Sequence, residues 1–408
     1  MRSSLSRRVF LRGAALSAVG IGVGPSRLLS SLAEAAAPAG RAVLVHIFLR
    51  GGADGLAMVS PYGEPRFYDQ RGEVALPPPG RPGGLVALDD HFALHPGLAP
   101  LHPVFSEGRL AIVHAVGHYG VSRSHFSAQD YVELGTPGVL TTPTGTMGRL
   151  AASLAGGGAT KIVAFSTRTP VSVLGPEKAL VSVELNAYRL RAKNWPGEAA
   201  GGIRSMYAET PLHDLASGMF QAIDQLRGAA GEHESPHNGA GYPDTMLGNS
   251  LRQAAQLIRA EIGTRCIFVD GGGTFDTHSG QLAANAVDFA SLGAALAAFD
   301  TDLGKKIDNV VVIVTTEFGR TVFANGSQGT DHGSGYCALI LGGKIRGGAI
   351  RGTWPGIAPH QLFEERDLAV TTDFRDIFAE VAWKHLGVAP DIALFPGYSP
   401  GGGVGLLD

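Results

Sequence analysis

The chain has 408 residues with a formal net charge of -3, 44% hydrophobic and 17% charged residues, a globular composition whose length suits one large α/β unit with insertions. The near-neutral charge and the lack of any Lys/Arg-rich run exclude a nucleic-acid surface, which needs a basic stripe to displace counterions. Two cysteines, Cys266 and Cys337, are too few for a disulfide framework, so buried thiols are expected.

Residues 6–12 read SRRVFLR, a twin-arginine pair followed by Phe10 and Leu11. A Gly/Ala-rich stretch to Gly24 comes next, and small residues at Ala35 to Ala37 would serve as a cleavage site. This pattern predicts a twin-arginine export signal over 1–37, the export machinery as a partner, a mature domain over 38–408, and a periplasmic or extracellular location. The apolar run is short and interrupted by Gly, so no stable membrane span is expected once the signal is removed.

Residues 42–49, AVLVHIFL, are the first predicted strand, and Arg50-Gly51-Gly52-Ala53-Asp54 follows directly. Apolar spacing predicts a helix over 92–109 and the next strand over 110–116. That strand runs into Ser122, Arg123, Ser124 and His125, ahead of a helix beginning near Ser127. Free backbone N–H groups there favour an anion, and a hydroxyl so placed could be a nucleophile. Taken singly, either serine reads as a helix cap. Short strands follow at 161–166 and 181–185. Residues 186–243 turn rich in Gly, Ala and polar residues around a helix near 212–227 and read as an insertion, with His233 and His237 on solvated loops.

Residues 244–262 are amphipathic, with Leu247, Leu251, Ala254, Ile258 and Ile262 on one stripe. They lead into a buried strand at 265–270 that ends in GGGTFDTHSGQ. These glycines lack the order of a dinucleotide loop and the Lys of a phosphate loop, which removes a nicotinamide oxidoreductase from consideration. Asp276 and His278 lie two apart, so in an extended segment both face one side and could bind one ion. A helix spans 281–303, with Leu282, Ala286, Phe289, Leu296, Phe299 and Leu303 as its expected core face. The β-branched run 309–315 is a strand buried on both faces, and Glu317, Arg320, Asp331 and His332 come just past it on Gly-rich backbone. A strand at 337–342 and a helix at 373–387, capped by Thr372 or Asp373, complete the pattern. Alternating strands and helices predict an α/β fold, a doubly wound, mainly parallel sheet with helices on both faces.

In open α/β sheets ligands bind beyond the carboxyl ends of the strands. The same inventory recurs at those ends: Asp54, then Ser122 and Ser124, then Asp276 and His278, then Glu317, then His332. Mixed carboxylate and imidazole donors suit a divalent metal, zinc first, with manganese, calcium or magnesium as the other candidates, in one or two ions. Such an ion polarises a phosphoryl or sulfuryl oxygen, and Arg320 or Arg123 could hold the remaining oxygens through paired donors. The expected substrate is a small-molecule or glycan phosphate or sulfate ester.

FLRGGADG, SRSHFSAQDY, DTHSGQ, TTEFGR and GTDHG, in this order after the SRRVFLR signal, resemble the exported family known as domain of unknown function 1501, which is grouped with the alkaline phosphatase and sulfatase superfamily. The resemblance implies an alkaline phosphatase-like fold. It makes Asp54 and Glu317 metal ligands on one side of the site, Asp276, His278 and His332 ligands on the other, and a serine near Ser124 the nucleophile. The chain departs from the superfamily pattern at Glu317-Phe318, where an Asp-His pair is usual, and in the close spacing of Asp276 and His278. Those departures motivate the alternative expectation of a catalytically inactive, phosphatase-like binding or accessory protein.

Overall fold

Runs of Val, Ile and Leu without polar alternation make strands that must be covered on both sides, and Val43–Leu49, Leu110–Gly117, Ile162–Phe165, Val310–Thr316 and Tyr336–Leu341 are each buried along their whole length. The computed structural model describes residues 42–118, 122–156, 160–185, 196–231, 235–391 and 393–408. The expected export signal lies outside the described residues, as do His233 and part of the expected insertion. Nine strands form the main sheet: β1 (Val43–Leu49), β2 (Leu110–Gly117), β3 (Ile162–Phe165), β4 (Ala179–Ser182), β5 (Cys266–Asp270), β6 (Val310–Thr316), β7 (Tyr336–Leu341), β8 (Ala349–Arg351) and β9 (Thr372–Asp373). Their order is β8-β2-β7-β6-β1-β5-β3-β4, with β9 also beside β2. Every pairing is parallel except those of β7, which runs antiparallel to β2 and β6. The reason is local: no helix lies between β6 and β7, and a parallel neighbour requires a crossover.

Helices cover both faces. They are α1 (His125–Leu134), α2 (Thr146–Ser153), α3 (Pro196–Tyr207), α4 (His213–Ala230), α5 (Met246–Ala260), α6 (Gln281–Leu303) and α7 (Phe374–Lys384). Alternate residues of β1 divide the core. Val43, Val45, Ile47 and Leu49 join Leu251, Phe289 and Phe299 from α5 and α6. Leu44 and Phe48 join Met147, Leu150, Phe374 and Phe378 from α2 and α7. His46 lies on the second side, its Nε2 2.8 Å from Thr315 Oγ1 and its ring edge-on to Phe268 and Phe378. The α/β, mainly parallel architecture is therefore as expected, and Cys266 and Cys337 are buried free thiols.

Two expectations need correction. The helix expected over 92–109 is a 3-10 stretch, Pro96–Leu101, followed by the short helix His102–Ser106, because Pro100 and Pro103 each remove an N–H from a longer ladder. On α6, Leu282 and Ala286 are exposed, whereas Gln281, Asn285, Phe289, Leu292, Leu296, Phe299 and Leu303 face inward. Polar bonding sets that rotation, since Gln281 donates to Asp54 Oδ2 at 2.7 Å and accepts from Thr277 and Thr330.

The carboxyl-terminal segment is docked by one carboxylate. Glu380 on α7 accepts from the backbone N–H groups of Val404 and Gly405 at one oxygen and of Leu406 and Leu407 at the other. Burial pushes its pKa upward, but these bonds and Lys384 hold it below the ordinary value. Glu380→Ala strands all four donors and is expected to cost about 3 kcal/mol in urea unfolding, with early proteolytic loss of residues 400–408. An unchanged midpoint would show that the tail contributes nothing.

Candidate metal centre

β1, β5 and β6 are adjacent and parallel, so their carboxyl ends open on one edge of the sheet. The turn after β1 brings Gly51 against the loop after β5. Gly51 has φ +114, and a Cβ there would stand 2.7 Å from Asp276 N, so only glycine permits the crossing. Gly51 N donates to Glu317 Oε1 at 2.8 Å. The fully buried Arg320 ties the loops together by donating to the carbonyls of Gly51, Gly52, Phe275 and Thr330 and to Asp276 Oδ1 at 2.6 Å. A bridge between Arg320 and His332 then returns the chain toward β7.

Four side chains converge on this edge. Asp276 Oδ1 lies 3.1 Å from His332 Nε2, 3.1 Å from His278 Nε2 and 3.3 Å from His125 Nε2. The Nε2 atoms of His278 and His332 are 2.9 Å apart. Behind each ring stands an acceptor for Nδ1–H: Glu317 Oε1 at 2.7 Å for His125, Asp331 Oδ1 at 2.9 Å for His278, and the Arg123 carbonyl at 2.7 Å for His332. An acceptor at Nδ1 keeps the proton there and leaves a lone pair at Nε2.

Three lone pairs and a carboxylate oxygen facing one another repel unless a cation lies among them. Ligands at tetrahedral zinc distances stand about 3.3 Å from one another, close to the separations of Asp276 Oδ1 from the three Nε2 atoms and of His278 Nε2 from His332 Nε2. Among the described residues, the donor atoms of His125, Asp276 and His332 all lie within 4.8 Å of one another. The donor set thus fits a divalent ion of zinc type.

The charges agree with this reading. The bond to Glu317 raises the pKa of His125 against the opposing effect of burial, so a proton competes with a cation for Nε2. Burial favours the neutral form of Asp276, but Arg320 and His332 outweigh it and hold the carboxyl at about 2. Glu317 is likewise pushed up by burial and held low by His125, Gln129 and the Gly51 N–H. Burial lowers the pKa of His332, keeping that ring neutral.

The structure brings Asp276, His278 and His332 together and adds His125, which sequence reasoning had placed beside the serines without a ligand role. It sets Asp54 apart. That carboxylate caps the helical turn Gly55–Met58, accepting from Leu56 N and Ala57 N, and is also held by Arg71 and Gln281. Glu317 stands behind His125, with its second oxygen on Thr316 Oγ1 at 2.9 Å. Arg320 is engaged with internal acceptors, and Arg123 Nη2 pairs with Asp367 and the exposed Glu364, so the Arg320 guanidinium is not presented to a ligand. Ser124 is the N-cap residue of α1 with no side-chain cap bond, and Ser122 Oγ accepts from Ser124 N at 3.3 Å. Among the described residues neither hydroxyl is bonded to an imidazole. One signal for His125 lies in the sequence: His125, Gln129 and Glu133 repeat at four-residue spacing, so polar residues occupy one face of α1.

Arg320→Lys keeps the charge and loses the planar fork that spans five acceptors. We expect it to cost about 3 kcal/mol or more in thermal or urea unfolding and to loosen Asp276. A variant as stable as wild type would show that the fork is dispensable.

Comparison with known proteins places part of the chain. Among solved structures, the chain is similar to the C-terminal periplasmic domain of EcEptC from Escherichia coli in complex with Zn (11% identity, 74% of this chain and 72% of that chain, TM-score 0.34). It is also similar to the PsFucS1 sulfatase from Pseudoalteromonas sp. (12%, 80% and 68%, TM-score 0.33) and to the lipoteichoic acid synthase LtaP from Listeria monocytogenes (10%, 69% and 57%, TM-score 0.31). Likenesses this weak say nothing about the reaction. No curated protein matches. Residues 203–391, which supply Asp276, His278, Glu317, Asp331 and His332, match the family described as Protein of unknown function (DUF1501).

Proposed function

We propose that the protein is a metal-dependent hydrolase of phosphate or sulfate esters that works in the periplasm or outside the cell. The observation that carries this reading is the convergence of three imidazole Nε2 atoms on Asp276 Oδ1, each ring backed by an acceptor at Nδ1. Asp276, His278, His332 and His125 would hold one divalent ion, with zinc favoured by the ligand types. When bound, the ion supplies Lewis acidity toward a phosphoryl or sulfuryl oxygen. The chain's own part is to hold the ligands. Glu317 keeps the His125 proton on Nδ1, Arg320 fixes Asp276, and Ser124 or Ser122 offers a hydroxyl beside the helix start. SRRVFLR supports delivery by the twin-arginine route as a folded protein.

The test uses protein exported by its native route. Elemental analysis is expected to find one equivalent of zinc or a similar ion, and an aryl phosphate or aryl sulfate is expected to be hydrolysed, with Ser124→Ala or Ser122→Ala lowering the rate at least 100-fold. Protein free of metal and inert on both esters would overturn the reading.

One observation favours a second reading, a metal-holding accessory protein without turnover. Arg320 is engaged internally and Arg123 Nη2 is held by Asp367 and Glu364, so both guanidinium groups expected to hold the equatorial oxygens already have carboxylate partners. That reading expects a metal-loaded protein inert on both esters, and a Ser122→Ala, Ser124→Ala double variant with unchanged biological effect.

A further inference from the structure

The three imidazoles are not backed alike. Asp331, behind His278, is exposed, and His332 leans on a backbone carbonyl. His125 alone leans on a carboxylate with no solvent exposure, Glu317. That carboxylate is held in turn by Gly51 N, Thr316 Oγ1 and the Gln129 side chain, whose Nε2 donates to Oε1 at 2.9 Å.

Gln129 has no freedom in this role. Its Oε1 accepts from Arg50 Nη1 at 2.9 Å, and Arg50 is fixed by Asp270 through Nε and by Glu133 through Nη2 at 2.8 Å. Glu133 accepts from Ser172 N at 2.8 Å, and Asp270 from Ser166. An amide flip would set the Gln129 NH2 against the guanidinium and its oxygen against the carboxylate. Both contacts would be repulsive, so the amide orientation is determined by its neighbours. Because His125, Gln129 and Glu133 lie on one face of α1, the same contacts anchor the helix that carries His125.

We infer that Gln129, oriented by Arg50, is a positioning residue for the metal centre: it holds Glu317 in the one placement that directs His125 Nε2 at Asp276 Oδ1. The inference rests on the reading of these residues as a metal centre. Gln129 meets neither the ion nor the substrate and acts through Glu317 and His125. Outer partners of this kind shift metal affinity by roughly 10- to 100-fold when removed.

The experiment uses Gln129→Met and Gln129→Glu with Zn(II) and Co(II) as probes, read by zinc dissociation constant and by the visible spectrum of the cobalt-loaded protein. Gln129→Met preserves helix propensity and shape. Gln129→Glu is isosteric and still accepts from Arg50, but it presents oxygen where Glu317 needs a donor. Both are expected to weaken zinc binding about 10-fold or more and to alter the cobalt spectrum. Gln129→Glu with wild-type affinity and spectrum overturns the inference. If melting of both variants falls, retention of the wild-type cobalt spectrum in the folded fraction overturns it equally. Wild-type protein that binds neither ion removes the metal centre and this inference together, whereas wild-type binding with unaffected variants removes the inference alone.

Discussion

His332→Ala is expected to weaken zinc binding by at least about 100-fold, more than the loss of an outer-shell partner gives, and to reduce ester hydrolysis in step. His332 Nε2 lies 3.1 Å from Asp276 Oδ1 and 2.9 Å from His278 Nε2, so its loss removes one ligand and frees two others to separate. The loop keeps its path without the imidazole, because Thr321 N donates to the Asp331 carbonyl at 2.9 Å and Gly333 N to the Gly319 carbonyl at 2.7 Å. The variant should therefore melt like metal-free wild type. Competition with a chromophoric chelator measures the affinity. Equal zinc affinity in variant and wild type would sink the proposed ligand set, and a variant that fails to fold would show that the ring carries stability instead.

The second large effect is on acid stability. Burial drives the pKa of His46 from 6.5 to about 3, and those of His95, His114 and His118 to about 4. All four are neutral in the folded protein and take up protons on unfolding. The sign follows: with folded pKa values below the unfolded one, stability is full above about 6.5 and falls as pH drops toward 4, continuing toward 3 for His46. At pH 5, about 1.5 units below the unfolded pKa, each ring protonates in the unfolded chain while staying neutral in the folded one, so all four act in the same direction. Denaturant midpoints for the metal-free protein at pH 8, 6.5 and 5 are expected to fall slightly between the first two and to drop steeply at the third. His46→Asn or His114→Asn would each reduce the drop. Flat stability from pH 8 to 5 would show that these rings take up protons without unfolding.

Much of the fold is legible residue by residue. Unbroken runs such as VVVIVTT can only be strands covered on both sides, and Asp373 ahead of Phe374 and Ile377 marks the start of α7. The rotation of α6 is not legible, because hydropathy ranks Leu282 above Gln281 while the bond to Asp54 decides which one turns inward. Among the site residues, Asp276, His278, Glu317 and His332 stand out by type and by position past strand ends. Position alone cannot say which way each side chain is tethered. Asp54 meets the same criterion, yet Arg71, 17 positions along, and Gln281, more than 200 away, both bind it.

By itself the sequence determines a large α/β sheet with carboxylates and imidazoles at the carboxyl ends of its strands, since burial and periodicity are local properties of a run of residues. Only the tertiary structure decides that His125 joins Asp276, His278 and His332 while Glu317 and Arg320 stand behind them. Those roles depend on which donor reaches which acceptor across segments up to 269 residues apart, and hydrogen bonds of that span exist only once the sheet has brought its strand ends together.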